Sequence, residues 1–216
     1  MFASGEPPAE LDQESFQSWY GRVEPLAPPE VAELLDGSGV RWAIAGGQAA
    51  RLGAATSRRH EDVDIEVPAG ELQCLRQHLS GWHLWQVDDG SLRPWLPPDE
   101  LRPAVHQLWL RRDSTHPWVA DILVQPGTHD WVYRRDPRVR LPWAKAHHVV
   151  HGVTYVRPEV ALLFKARHDR AKDRADLAAA QLSSAGRAWL VSTFEALGHV
   201  EWAKLASRVA QAETSG

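Results

Sequence analysis

The apolar positions change their spacing near residue 156. Before it, short alternating or continuous apolar runs are interleaved with amphipathic stretches; after it, every stretch is compatible with helix. Residues 11–20 predict a short helix with Leu11, Phe16 and Trp19 on one side. A clearer helix is predicted over 29–36. Pro29 suits its first turn, Glu30 and Glu33 favour the positive end of the dipole, and Val31, Leu34 and Leu35 form its apolar face. Gly37 and Gly39 stop it. Val40–Ala45 reads as a buried strand that runs into Gly46-Gly47, and Gln48–Leu52 predicts helix.

After a polar loop, Asp62-Val63-Asp64-Ile65-Glu66-Val67 alternates acids with β-branched residues, so it predicts a strand with one acidic and one apolar face, closed by Pro68. Residues 69–80 predict an amphipathic helix on Leu72, Leu75 and Leu79, ended by Gly81. Trp82–Val87 and Val105–Arg111 are strand candidates on either side of a Pro-rich loop. Trp118–Val124 reads as a strand holding a lone acid, Asp121. Residues 131–155 read as irregular, with short strands near 131–134 and 153–156. Pro158 then opens a helical region with breaks near Ser183–Gly186 and Gly198. The pattern gives an α+β class, with a mixed domain over 1–156 and a C-terminal helical region over 157–216.

Composition alters this picture little. The chain has 216 residues, 44% hydrophobic and 24% charged, as a folded globular protein should. A net charge of −4 and a pI near 6.2 give no overall basic field, which argues weakly against nucleic acid as the main partner. Cys74 is the only cysteine, so a disulfide framework and a thiolate zinc cluster are both excluded. The first residues lack a basic patch followed by an apolar run, and no stretch is long enough to cross a bilayer. A soluble, cytoplasmic protein with no membrane partner is expected. The 11 tryptophans are scattered and read as core and rim packing.

Chemistry concentrates on the acidic strand. Asp62 and Asp64 project to one side, roughly 7 Å apart by the rise of a strand. Carboxylates that close repel one another, and a hard cation such as magnesium relieves the repulsion while using their oxygens. The bland alternative is an edge strand with a solvated polar face. A strand entering Gly46-Gly47 and then a helix favours the chemical reading, because such a turn presents backbone N–H groups to an anion.

These residues resemble a known group. Gly46-Gly47, followed by Arg58 and His60-Glu61-Asp62-Val63-Asp64-Ile65, is similar to the Gly-Gly … Arg-x-His-x-Asp-x-Asp signature of nucleotidyltransferase-like proteins. The nearest branch is the aminoglycoside and lincosamide nucleotidyltransferases. Arg157–Ala166 and Arg170–Asp176 resemble that branch's C-terminal motif, and the likeness covers roughly residues 25–205. It implies the nucleotidyltransferase fold, a mixed sheet flanked by helices. It also implies that Asp62 and Asp64 bind magnesium and that Gly46 and Gly47 embrace a triphosphate. A third acid, best matched by Asp121, completes the metal site or serves as general base, with Glu66 peripheral. Many members carry Gly-Ser at the turn; Gly47 stands here instead and removes one phosphate contact. No acceptor-binding motif is recognisable.

Arg58, Lys165 and Lys172 are candidate phosphate-binding cations, the two lysines being about two helical turns apart and so on one face. The alternative is a solvated helix laced with Asp169, Asp173 and Asp176, or a Lys172–Asp173 structural pair. His147, His148 and His151 cluster, but zinc ligation is disfavoured because adjacent side chains diverge; His60 reads as orienting the loop. Trp131 with Arg134-Arg135 could stack on a base or sugar, or form a surface strand.

The expected function is magnesium-dependent transfer of a nucleoside monophosphate from ATP or another NTP to a hydroxyl of a small, aminoglycoside-like acceptor. A catalytically silent nucleotide- or partner-binding member, such as a toxin–antitoxin component, is the alternative. Transfer to RNA is disfavoured by the acidic balance.

Overall fold

The acidic strand does not lie at an edge. In the computed structural model, which describes residues 13–54, 60–88 and 91–213, it is flanked on both sides within an eight-stranded mixed sheet. In chain order the elements are α1 Gln13–Tyr20, α2 Pro28–Leu35, β1 Ala43–Ile44, α3 Gly46–Ala50 and β2 Asp64–Pro68. A 3-10 turn Ala69–Glu71 leads into α4 Leu72–His78, followed by β3 His83–Asp88, β4 Ser91–Pro94, β5 Gln107–Arg111 and β6 Trp118–Gln125. Then come β7 Asp130–Val132, β8 Arg140–Pro142, α5 Trp143–Ala146, β9 His147–Val150 and β10 Val153–Val156. The chain continues as α6 Pro158–Lys165, α7 Ala171–Ala179, α8 Ser184–Ala196 and α9 Val200–Glu213.

The sheet order is β4-β3-β5-β6-β2-β1-β10-β9, while β7 and β8 form a separate hairpin. β2 runs parallel to β6 and antiparallel to β1, and β1 runs parallel to β10. The alternation read from the sequence sets the two faces of the central strands. Ile65, Val67, Ile122, Leu108 and Leu110 face α2 and α4, and pack with Val31, Leu35, Leu72 and Leu75. Each such fully buried aliphatic side chain contributes about 1.5–3 kcal/mol. A second core joins Ala43, Ala45 and α3 to Val160, Leu163, Leu177, Leu190, Phe194 and Trp202 of the C-terminal helices. No helix among the described residues is long and apolar enough to cross a membrane.

Several boundaries differ from expectation. Only Ala43–Ile44 of the Val40–Ala45 run joins the ladder, because the Arg41 N–H and Nε are taken by the Glu71 carboxylate at 2.5 and 2.6 Å. Helix α3 begins at Gly46, so both glycines lie inside its first turn rather than before it. The acidic strand begins at Asp64 rather than Asp62, although the Val63 carbonyl still accepts from the Asp121 N–H at 2.9 Å. Elements β4, β8, α5 and β9 fall in stretches read as loop or irregular, each only 3–4 residues long. The C-terminal region breaks near Ser183 and Gly198 as expected, and also between Lys165 and Ala171. Phe16 packs on Trp109, but Trp19 is 77% exposed and does not share its side of α1; Leu11 lies outside the described residues.

Candidate active site

Asp64 opens β2, and Asp121 is its registered partner on β6. Parallel neighbours in register place both side chains on one face, with strands about 4.8 Å apart. Asp62 stands just before β2 and is exposed. Both other acids feel its charge, so the three form one electrostatic group.

Gly46 makes room for this group. Its φ of +59° disfavours other residues, and a Cβ there would come within 1.7 Å of Asp64 Oδ2. The glycine is therefore required by the acid itself. The Ala45 N–H donates to the Asp64 carbonyl at 2.8 Å, which holds the turn against the start of β2.

Burial raises the Asp64 carboxyl to about 7, reinforced by the negative charge of Asp62 and opposed by Lys165. Asp121 is pushed well above the usual carboxylate range by burial and by Asp64, against a 2.6 Å hydrogen bond donated by Gln107 Nε2. Among the described residues Asp64 carries no side-chain hydrogen bond or ion pair. Two crowded, desolvated carboxylates with so few donors are the hard-oxygen surroundings that suit a divalent cation. No group of three or more His, Cys, Asp or Glu among the described residues could itself hold a metal ion. A cation there would have to complete its shell with water or with oxygens of a bound substrate, as magnesium commonly does.

Asp62 and Asp64 line a cavity of about 340 Å³ together with Gly46 and Gly47. Its other wall is basic: Arg134, Arg135, Lys165, His168, Arg170 and Lys172. These charges act on one another. Burial, then Arg135 and Arg167, hold Arg134 below its ordinary range; burial, then Arg135 and Arg170, do the same to His168. Such mutual repulsion is relieved by an anion.

Lys165 and Lys172 reach this cavity from different helices, which corrects the expectation that they share one helix face. Lys165 is held by Asp176 at 2.8 Å and Asp173 at 3.5 Å. Those two acids are not a solvated face: they are 1% and 0% exposed, and Arg51 and Arg170 also pair with them. The partners of Asp173 are thus Lys165 and Arg170 rather than Lys172. Asp169 alone fits the surface description, paired with Arg174.

Glu66 shares the acidic face but is committed elsewhere. Its carboxylate contacts His147 Nε2 at 2.5 Å and accepts from Trp131 Nε1 at 3.3 Å. Trp131 is fully buried, so it cannot stack on a base or a sugar. The second ring nitrogen of His147 meets the Trp143 carbonyl at 2.7 Å, which makes this histidine structural. Arg135 donates to the Phe164 carbonyl at 2.9 Å, whereas Arg134 lines the cavity. Arg58 lies outside the described residues.

Gln107 and the Lys165–Asp173–Asp176–Arg51 network were not anticipated. The alternation of Val105–Arg111 does place Gln107 on the face of Asp121, a signal available in the sequence. Nothing local marks Asp176 as buried. A scan against protein-family models found none that matches this chain, and a search of curated proteins found none similar to it.

Proposed function

We propose that the protein is a magnesium-dependent nucleotidyltransferase of the nucleotidyltransferase fold. It would transfer a nucleoside monophosphate from ATP, or another NTP, to a hydroxyl of a small acceptor. The observation that carries this reading is the pairing of Asp64 with Asp121 across β2 and β6, beside a glycine kept free of a Cβ and opposite a basic wall. A cavity with carboxylates on one side and cations on the other suits a metal–polyphosphate complex, since each wall neutralises one part of it.

Asp62 and Asp64 would hold magnesium, with Asp121 adjoining; the bound ion would supply charge neutralisation on the phosphates. Arg134, Lys165 and Lys172 attract the polyphosphate, and Gly46 and Gly47 let it approach the backbone. Asp121, its proton affinity raised well above the usual carboxylate range by burial and by Asp64, accepts the proton of the acceptor hydroxyl. The hydroxyl oxygen forms a bond to the α-phosphorus, the α–β phosphoanhydride breaks, and pyrophosphate leaves. The overall acidic charge and the small cavity favour a small acceptor over nucleic acid.

Isothermal titration with ATP and magnesium tests the proposal. Binding by the wild type, lost in the Asp62→Asn/Asp64→Asn double variant, is expected; no binding, or unchanged binding in the variant, would sink it. ATP binding without pyrophosphate release across a broad acceptor panel would favour a catalytically silent nucleotide-binding member.

A further inference from the structure

The acid group has a second side. Asp64 faces the basic cavity, whereas Asp121 opens into a different one, of about 390 Å³; Glu61 and Asp62 line both. The second cavity has an opposite character. Phe16, Trp109 and Trp118 line it together with Val23, Pro25 and Val119, and its charged lining residues are the acids Glu61, Asp62 and Asp121. Among the described residues no Lys, Arg or His lines it.

Its aromatic wall is pre-organised. Trp118 Nε1 donates to the Tyr20 carbonyl at 2.7 Å, and the Arg111 guanidinium covers the Trp118 ring at 4.2 Å. Trp109 meets Trp118 edge-on at 5.4 Å and packs against Phe16 at 5.7 Å. A fixed aromatic surface beside uncompensated carboxylates binds a ring-bearing cation well, through stacking, cation–π attraction and charge. It repels phosphate and carboxylate groups.

Resting on the nucleotidyl-transfer reading, we infer that this aromatic cavity is the acceptor site, and that the acceptor is an amine-bearing hydroxyl compound with a flat apolar face. The two substrates then approach the acid group from opposite sides. The nucleotide meets Asp64, and the attacking hydroxyl meets Asp121. The amine is met by Glu61, which is not a proposed magnesium ligand, and the apolar ring by Trp109 and Phe16. Anionic acceptors, and polyhydroxylated amines that lack an apolar face, are poor fits.

Three probes test this in the presence of magnesium and a non-hydrolysable ATP analogue: phenylethanolamine, glucosamine and phenyl phosphate. Tryptophan fluorescence and titration calorimetry give the affinities. Phenylethanolamine should bind about ten-fold or more tightly than the other two, since glucosamine lacks the aromatic contact and phenyl phosphate replaces the attracted charge with a repelled one. Trp109→Ala should weaken it about ten-fold while leaving the affinity for the ATP analogue unchanged. Should Trp109→Ala fail to fold, Gln17→Arg keeps the test alive: it adds a cation to the same lining from α1 and should weaken phenylethanolamine similarly. Equal or better binding of glucosamine or phenyl phosphate, or indifference of phenylethanolamine to the variant tested, overturns the acceptor assignment. If wild-type protein binds the analogue normally, that failure leaves the nucleotide reading intact. If it does not bind the analogue at all, both fall.

Discussion

Replacing Asp64 by asparagine should stabilise the protein in the absence of metal and nucleotide, although it removes a central site residue. In the folded chain the Asp64 carboxyl holds its proton up to about pH 7, against 3.8 as the ordinary value. Below pH 3.8 the group is protonated whether the chain is folded or not, and it costs nothing. As pH rises from there, the unfolded chain releases the proton first, so folding must either retain it or bury the charge; stability falls until the folded group also ionises near pH 7. The whole interval corresponds to about 4 kcal/mol, and sharing the cost with Asp121 reduces what one substitution recovers to about 2 kcal/mol. For a chain of this length that is a rise in melting temperature of about 4–8 °C. The assay is thermal unfolding in EDTA at pH 8, repeated at intervals down to pH 4.5. The Asp64→Asn protein should melt higher at pH 8, and the gap should close toward the acid end. Lower melting at pH 8, or a gap that ignores pH, would refute the claim that Asp64 is an electrostatically strained group waiting for a cation.

Other expectations follow from individual contacts. Gly46→Ala combines a disfavoured φ, costing about 1–2 kcal/mol, with a Cβ driven onto Asp64; the variant should fold less stably and lose binding of ATP with magnesium, measured by calorimetry. Lys165→Met removes a cation from both buried acids, Asp173 and Asp176, so urea unfolding should show a loss of about 2–3 kcal/mol besides weaker nucleotide binding. Gln107→Leu removes the hydrogen bond that lowers the proton affinity of Asp121, so the acidic limb of the pH–rate profile should move to higher pH.

The parts of the fold that follow from periodicity were legible in the sequence, and those that depend on long-range partners were not. The alternation in 62–67 gives the two faces of β2, and the lone acid in a run of apolar residues marks Asp121 on β6; a parallel register then brings Asp64 and Asp121 together. Strand order has no local signature, so the central position of β2, which removes the solvated-edge reading, needed the structure. Charges on the C-terminal helices misled for the same reason. Asp173 and Asp176 have the spacing of a surface stripe, yet they are buried because Arg51, just after α3, and Lys165 of α6 meet them. Short elements such as β9 lie below the length at which a period can be read, which hid the tie between His147 and Glu66. The aromatic wall beside Asp121 is assembled from α1, β5 and β6, and no single segment announces it.

The most direct test of the carboxylate site is an electron paramagnetic resonance titration with Mn²⁺ in place of magnesium, with and without a non-hydrolysable ATP analogue. The wild type should take up one Mn²⁺ far more tightly when the analogue is present. The Asp62→Asn/Asp64→Asn variant should show no Mn²⁺ uptake beyond that of the free analogue. Uptake by the variant equal to that of the wild type, or no uptake by the wild type with the analogue, would contradict the account.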